Sequence, residues 1–269
     1  MLRRLFAVLA LLVPLAACQP SSTSEPGAPS ETSAAAGPSD PATETEMAAP
    51  EAAPADATAE PGAEAPAPAP APTPAAGSPD APRAGTDYVL LDAPQPTWGQ
   101  GKIEVAEVFS YMCIHCAEFQ PAVNAWKQRM PADVRWEYVP AVFGGAWDQA
   151  ARAYFAAELL GVRERSHDAI FKAIHIDREM KTGSAEEYAD LYAKQGAERG
   201  KFLDTMSSFG VTAKLGRAKQ FAQRTGVTGT PTIIVAGKYR VSVTEDRGFP
   251  GMLATVDFLL AQERAATTP

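Results

Sequence analysis

Cys113 and Cys116 stand three residues apart with His115 between them, in the stretch Phe109-Ser110-Tyr111-Met112-Cys113-Ile114-His115-Cys116-Ala117-Glu118. Thiols at that spacing can form a structural disulfide, supply two metal ligands, anchor a haem or act as a reversible redox pair. A disulfide that closes so short a loop removes little entropy from the unfolded chain, so it contributes little as a staple. Structural zinc takes four ligands, and beyond residue 82 the sequence offers only His115, His167 and His175 and no second cysteine pair. No metal-ligand set is assigned, although a copper module using both cysteines and a distant histidine stays open. Covalent haem attachment needs a histidine directly after the second cysteine, where this chain has Ala117. Redox chemistry fits the position best. A cysteine opening a helix faces unpaired N–H groups and the positive end of the helix dipole, which favour thiolate over thiol. His115 adds positive charge or a hydrogen bond in this reading.

The elements that must hold the pair can be read on either side of it. Tyr88–Leu91 and Lys102–Phe109 read as strands, the second with alternating character and leading into the cysteines. A helix is expected from the cysteine pair to about Met130, then a strand over Val134–Pro140. Apolar residues at helical spacing mark Trp147–Leu160, Ser166–Ile176, Ala185–Gln195 and Ala213–Thr225. Pro231–Val235 and Tyr239–Val243 flank a turn at Ala236-Gly237-Lys238, and a last helix spans Met252 to about Arg264. About 180 residues, from Arg83 to Ala266, suffice for one compact domain.

Strand, Cys-x-x-Cys and helix in that order resemble the thioredoxin superfamily. The inner histidine and the long helical stretch resemble the DsbA-like thiol:disulfide oxidoreductases. The likeness spans about Tyr88 to Ala266 and rests on EVFSYMCIHC, Pro121 in the helix, YVPAVFGG and GVTGTPTIIVAGKY. It implies an α/β thioredoxin-like fold with a helical insertion at about 145–226, within a domain of residues 83–269. It also implies a cis proline at Pro231 facing the cysteines, with Thr230 pairing substrate main chain by strand addition. Glu107 matches a carboxylate that handles protons near the buried second cysteine. Cys113 and Cys116 are expected to form the redox disulfide, with no bound cofactor. Such proteins oxidise reduced exported proteins, are regenerated by DsbB, a quinone-linked membrane oxidase, and work as monomers; the isomerase relatives dimerise through an added folded domain. Lowering the Cys113 pKa to about 4 would make the disulfide roughly 90 mV more oxidising. Ile114 departs from the family, which commonly has proline there, so the potential is not transferable, and a reductase of the same fold stays open beside the copper module.

The start of the chain places this chemistry. Arg3 and Arg4 precede an apolar run of about 13 residues containing Pro14, the pattern of a secretory signal and too short for a span of ~20 residues. Leu15-Ala16-Ala17-Cys18 resembles the lipobox of bacterial lipoproteins. The expectation is a signal over 1–17, a lipidated Cys18 and a periplasmic, membrane-tethered domain. Gln19 in place of aspartate slightly favours the outer membrane over the inner. From Gln19 to about Pro82 the chain is dominated by Ala, Pro, Glu, Ser, Thr and Gly, with no aromatic, Lys or Arg residue. It cannot offset its ordering entropy by burial, so residues 18–82 are expected to be a disordered linker with a span of roughly 45 Å. Ten acidic residues lie there, and the remainder from Arg83 is formally neutral, which gives no reason to expect nucleic acid as a partner.

Overall fold

The strand β2 (Ile103–Phe109) runs through the middle of a five-stranded sheet and delivers the chain to the cysteine pair. The computed structural model describes residue 78 and residues 80–267. The expected signal segment, Cys18 and nearly all of the 18–82 linker lie outside the described residues. Tracing the sheet across gives the order β1 (Tyr88–Leu90), β5 (Tyr239–Ser242), β4 (Thr232–Val235), β2 and β3 (Val134–Pro140). β3 is parallel to β2, whereas β4 and β5 are antiparallel to their neighbours. The register sets Glu107 beside Tyr138 on β3 and beside Ile233 on β4.

The alternation expected for β2 does not hold. Every residue from Glu104 to Phe109 is buried, because both faces of this central strand are covered. Two glutamates therefore lie in the interior. Glu104 is satisfied: its oxygens accept from the main-chain N–H groups of Trp98 (2.7 Å) and Gly99 (2.6 Å), and from Arg135. Glu107 has no partner for Oε2. An odd separation puts the two on opposite faces of the strand, and only Glu107 is left available for chemistry.

α1 (Ile114–Gln128) follows the cysteine turn. Its residues Cys116, Phe119, Val123 and Trp126 are buried at helical spacing, and burial of the three large side chains contributes roughly 2 kcal/mol each. Pro121 lies inside the helix and removes one intrahelical hydrogen bond. Between β3 and β4 stand α2 (Ala146–Leu159), α3 (Arg163–His175), α4 (Ala185–Lys194), α5 (Arg199–Met206) and α6 (Phe209–Arg224); α7 (Gly248–Thr267) follows β5. The architecture is a thioredoxin-like α/β fold carrying a helical insertion. The hairpin turn depends on Gly237, at φ 66°, where a Cβ would run into the carbonyl of Gln95.

The insertion is fastened to the sheet by a cluster of rings next to the cysteine turn. Phe109 meets Tyr111, Tyr138, Tyr154, His167 and Phe171 with ring centroids 5.2–5.9 Å apart, mostly edge to face. Tyr154 donates to the carbonyl of Tyr138 (3.1 Å), and the Tyr111 hydroxyl lies 2.9 Å from Nδ1 of His167. Burial, reinforced by the charges of Lys127 and Arg163, holds His167 down to about 3, so its ring is neutral.

Pro82 is already buried and Ala81 packs on the core, so the domain takes hold just before Arg83. Asp87 fixes this start. Its carboxylate accepts from the Arg83 main chain (2.7 Å) and guanidinium (2.9 and 3.0 Å) and from Arg247 ahead of α7 (3.3 Å). Asp87→Ala is expected to destabilise the domain by about 2 kcal/mol, because it strands these donors beside a buried site. The urea midpoint measures this, and an unchanged midpoint would contradict the assignment.

Candidate active site

Cys113 occupies the N-cap of α1 with an extended backbone (φ −93°, ψ 113°), and Ser110 shapes the turn that brings it there. The Cys113 N–H donates to the Ser110 carbonyl (3.0 Å), and the Met112 N–H donates to the Ser110 hydroxyl (3.1 Å). From the insertion, His175 Nε2 lies 2.8 Å from the Tyr111 carbonyl. A carbonyl only accepts, so Nε2 carries the proton and donates. α3 thus holds the turn from behind.

The two thiols live in opposed surroundings. Both are free in this structure; Cys113 is 9% exposed and Cys116 is fully buried. The Cys113 pKa is lowered from 9.0 to about 5, first by the hydrogen bond of the Cys116 thiol, then by the side chain of Thr230 and the N–H groups of Cys116 and His115, against the effect of burial. These N–H groups act electrostatically at a distance, since none makes a full capping hydrogen bond to the sulfur. Cys116 moves the other way. Burial pushes its thiol far up, and the hydrogen bond to Cys113 and the Cys113 charge add to the effect. One sulfur is the thiolate at neutral pH while the other keeps its proton.

Thr230 and Pro231 reach the site from 117 residues away, through the cis Thr230–Pro231 peptide bond at the start of β4. The Cys113 thiol donates to the Thr230 carbonyl at 3.4 Å. The Thr230 hydroxyl is buried without a partner. A thiolate has no proton for the carbonyl, and the idle hydroxyl is the donor that can then turn to it. The Glu107 carboxyl is raised well above its ordinary range by burial and by the charge of Cys113, which favours its protonated form.

His115 is placed differently from the expectation of a ring against the thiolate. Its Nδ1 pairs with Glu118 Oε2 at 3.0 Å in a largely exposed contact, and it is its main-chain N–H that favours the Cys113 thiolate. Sequence reasoning passed over Ser110 and weighed His175 only as a metal-ligand candidate. An Asx-like serine three residues before a cysteine is a faint turn signal, and nothing local to His175 announces that α3 folds back onto Tyr111. Among the described residues no group of three or more His, Cys, Asp or Glu residues is arranged to hold a metal ion. Cys18, the expected lipidation site, lies outside the described residues.

Comparison with known proteins identifies the family of the domain. The model of the DSBA-like thioredoxin domain matches residues 104–249. The thiol:disulfide interchange protein DsbA of Pseudomonas aeruginosa is 40% identical over 191 residues, covering 71% of this chain and 90% of that protein. The DsbA of Azotobacter vinelandii is 39% identical over 189 residues, covering 70% and 88%. The crystal structure of the oxidoreductase DsbA from Xylella fastidiosa superposes with a TM-score of 0.65 at 41% identity, covering 68% of this chain and 98% of that one. A buried pair of thiols with opposed proton affinities, on a domain matched along nearly the full length of these relatives, places the chain in the DsbA-like thioredoxin-domain family as a protein thiol:disulfide oxidoreductase.

Proposed function

We propose that this chain is a periplasmic dithiol oxidase, tethered through a lipidated Cys18, that introduces disulfides into reduced exported proteins. The observation that carries the direction is the Cys113 thiolate, which stabilises the reduced pair and so favours giving the disulfide away. A client thiolate attacks Cys113 Sγ, the Cys113–Cys116 bond breaks, and Cys116 leaves. Glu107, protonated and buried near Cys116, gives that sulfur its proton. A second client thiolate then attacks the client sulfur of the mixed disulfide, and Cys113 departs as thiolate. Thr230 offers its carbonyl and N–H to the client main chain next to Cys113. A quinone-linked membrane oxidase of the DsbB kind restores the disulfide, and the enzyme acts as a monomer.

The test is stoichiometric. The oxidised full chain, mixed with a reduced unfolded test protein, is expected to leave the test protein disulfide-bonded and Cys113 and Cys116 as thiols. A test protein that stays reduced contradicts the oxidase and favours a reductase; tight copper binding by the reduced chain that Cys113→Ala abolishes would favour the metal module. His115→Ala is expected to move the Cys113 titration by less than about half a pH unit, because the N–H survives the substitution and the ring is spent on Glu118. A shift of a full unit by thiolate absorbance would restore the ring to the mechanism. Cys18→Ala is expected to move the protein from the membrane to the soluble fraction, since no helix among the described residues is long and apolar enough to cross a membrane. Unchanged fractionation would contradict the lipid tether.

A further inference from the structure

A cavity of about 310 Å³ adjoins the cysteine pair through the loop ahead of β4, where Thr228, Thr230, Pro231 and Thr232 contribute to its lining. β5 contributes Ser242 and Arg240. Thr230 joins the cavity to the chemistry, because its carbonyl lies 3.4 Å from Cys113 Sγ. Arg240 is the only charged residue among the described residues that line the cavity. Its hydrogen bonds go to two main-chain carbonyls, Thr225 (3.1 Å) and Gly226 (2.7 Å), and both come from Nη1. Those carbonyls belong to the end of α6, and they account for both N–H groups of Nη1. Gly226, at φ 64°, permits the approach, since a side chain there would run into Nη1. Nε and Nη2 have no partner among the described residues, and neither is a sealed-off atom, so both stay open to an incoming group. A guanidinium offers such donors as a planar fork that matches a carboxylate.

We infer that this cavity is a carboxylate subsite: it takes an aspartate or glutamate side chain within two residues of the reacting cysteine of a client polypeptide, with Arg240 as the specificity-determining residue. Continuity with the reacting atoms and the sign of the charge identify the occupant. When a client thiolate attacks Cys113 Sγ and Cys116 leaves, the new disulfide sets the client Cα about 5–7 Å from the Cys113 Cα. The client main chain then passes Thr230, and each extended residue advances it by ~3.4 Å. The next one or two residues therefore reach the lining around Thr230 and, with a side chain as long as that of glutamate, the guanidinium beyond. Every other described residue of the lining is uncharged, so nothing in the cavity competes for Arg240. A client carboxylate completes the fork that α6 leaves half used, whereas a lysine at the same place meets a like charge. Arg240 thus has two tasks. One nitrogen closes the end of α6, and the others read the flank of the client cysteine.

The subsite rests on exchange with polypeptide thiols at Cys113, and its test separates the two. The oxidised full chain is mixed by stopped flow with an excess of Gly-Glu-Glu-Cys-Glu-Glu-Gly or of Gly-Gln-Gln-Cys-Gln-Gln-Gly. Each rate is divided by that of the same peptide with bis(2-hydroxyethyl) disulfide, an uncharged reference that removes intrinsic thiol reactivity. The glutamate peptide is expected to react about fivefold faster, the upper end for a partly exposed ion pair. Arg240→Gln should bring the ratio close to one, and Arg240→Lys, which keeps the charge without the fork, should keep about twofold. Lys219→Gln removes the same charge from an exposed residue of α6 outside the cavity and should leave the ratio at about fivefold. Both peptides meet the same variant, so a general loosening of the domain cancels. Equal rates in the native chain, a ratio indifferent to Arg240→Gln, or one that Lys219→Gln lowers as much, would overturn the subsite. Excess peptide drives a single turnover whichever direction the enzyme favours. A failure of the oxidase reading therefore changes the extent of reaction with both peptides and leaves their ratio intact.

Discussion

Cys113→Ala is expected to reduce disulfide exchange with protein clients at least a thousandfold, whereas Cys116→Ala, which cannot form the disulfide, keeps the Cys113 thiolate, attacks a client disulfide in the reverse sense of the exchange and accumulates as a stalled mixed disulfide. The difference follows from the two environments. With a pKa of about 5, Cys113 in the reduced protein is ~99% thiolate at pH 7, against roughly 3% for an ordinary cysteine. Cys116 is fully buried and its thiol is held protonated by burial, by its hydrogen bond to Cys113 and by the Cys113 charge. Left alone it offers a client neither access nor a nucleophile. Left alone, Cys113 has both, and once linked to a client it lacks the internal thiol that would release it. Non-reducing electrophoresis of each variant with a client disulfide reads the outcome: adducts for Cys116→Ala, none for Cys113→Ala. Adducts of equal yield from both would show that the asymmetry of the site does not govern the reaction.

The second large effect is on stability. The reduced protein is expected to be more stable than the oxidised one at pH 7 by about 3 kcal/mol. A thiol whose folded pKa is depressed contributes stability that is complete above its unfolded value, 9.0, and is lost as pH falls through about 5. At pH 7 the part that remains is the span from 5 to 7, at ~1.4 kcal/mol per unit. Solvent at the partly open sulfur screens the interaction, so 3 kcal/mol is the upper end. Through the redox cycle the same energy makes the disulfide about 60 mV more oxidising than an unperturbed pair, somewhat less than the 90 mV that a pKa of 4 would have given. Urea unfolding of both redox forms from pH 4 to 9 should show the gap closing toward pH 5 and widening above 7. A gap independent of pH would mean that the Cys113 thiolate is not its source.

Much of this was legible in the sequence because the reacting groups announce themselves locally. A pair of cysteines directly after an apolar strand can only open the helix that follows, and Thr-Pro ahead of Ile-Ile-Val marks the loop that returns to it. The succession of strands and helices along the chain was legible for the same reason, whereas their order across the sheet was not read from it. α5 was missed: Arg199–Met206 has only Phe202 and Met206 buried, and its N-cap is Glu198, which accepts from the N–H groups of Gly200 and Lys201. Eight mostly polar residues give no periodicity to detect. α6 and α7 begin four residues earlier than the apolar pattern suggested. Ser208 caps a first turn whose Phe209 is left 86% exposed, and Gly248 to Gly251 reads as a loop although Pro250 is compatible with a first helical turn. The alternation assigned to β2 failed because a strand's neighbours, not its own residues, decide whether one face or two are covered. The idle hydroxyl of Thr230, the His175 contact to Tyr111 and the pairing of His115 with Glu118 all depend on side-chain direction, which spacing along the chain does not encode.

The direction of electron flow is the hinge of the functional reading, and the equilibrium of the full chain with glutathione buffers at pH 7 measures it, by following the Cys113–Cys116 pair as thiol and disulfide. A donor stabilised in its reduced form by the Cys113 thiolate is expected to have a potential more positive than about −200 mV. A value near −270 mV, that of thioredoxin, would contradict the oxidase and make the same pair of cysteines a reductant.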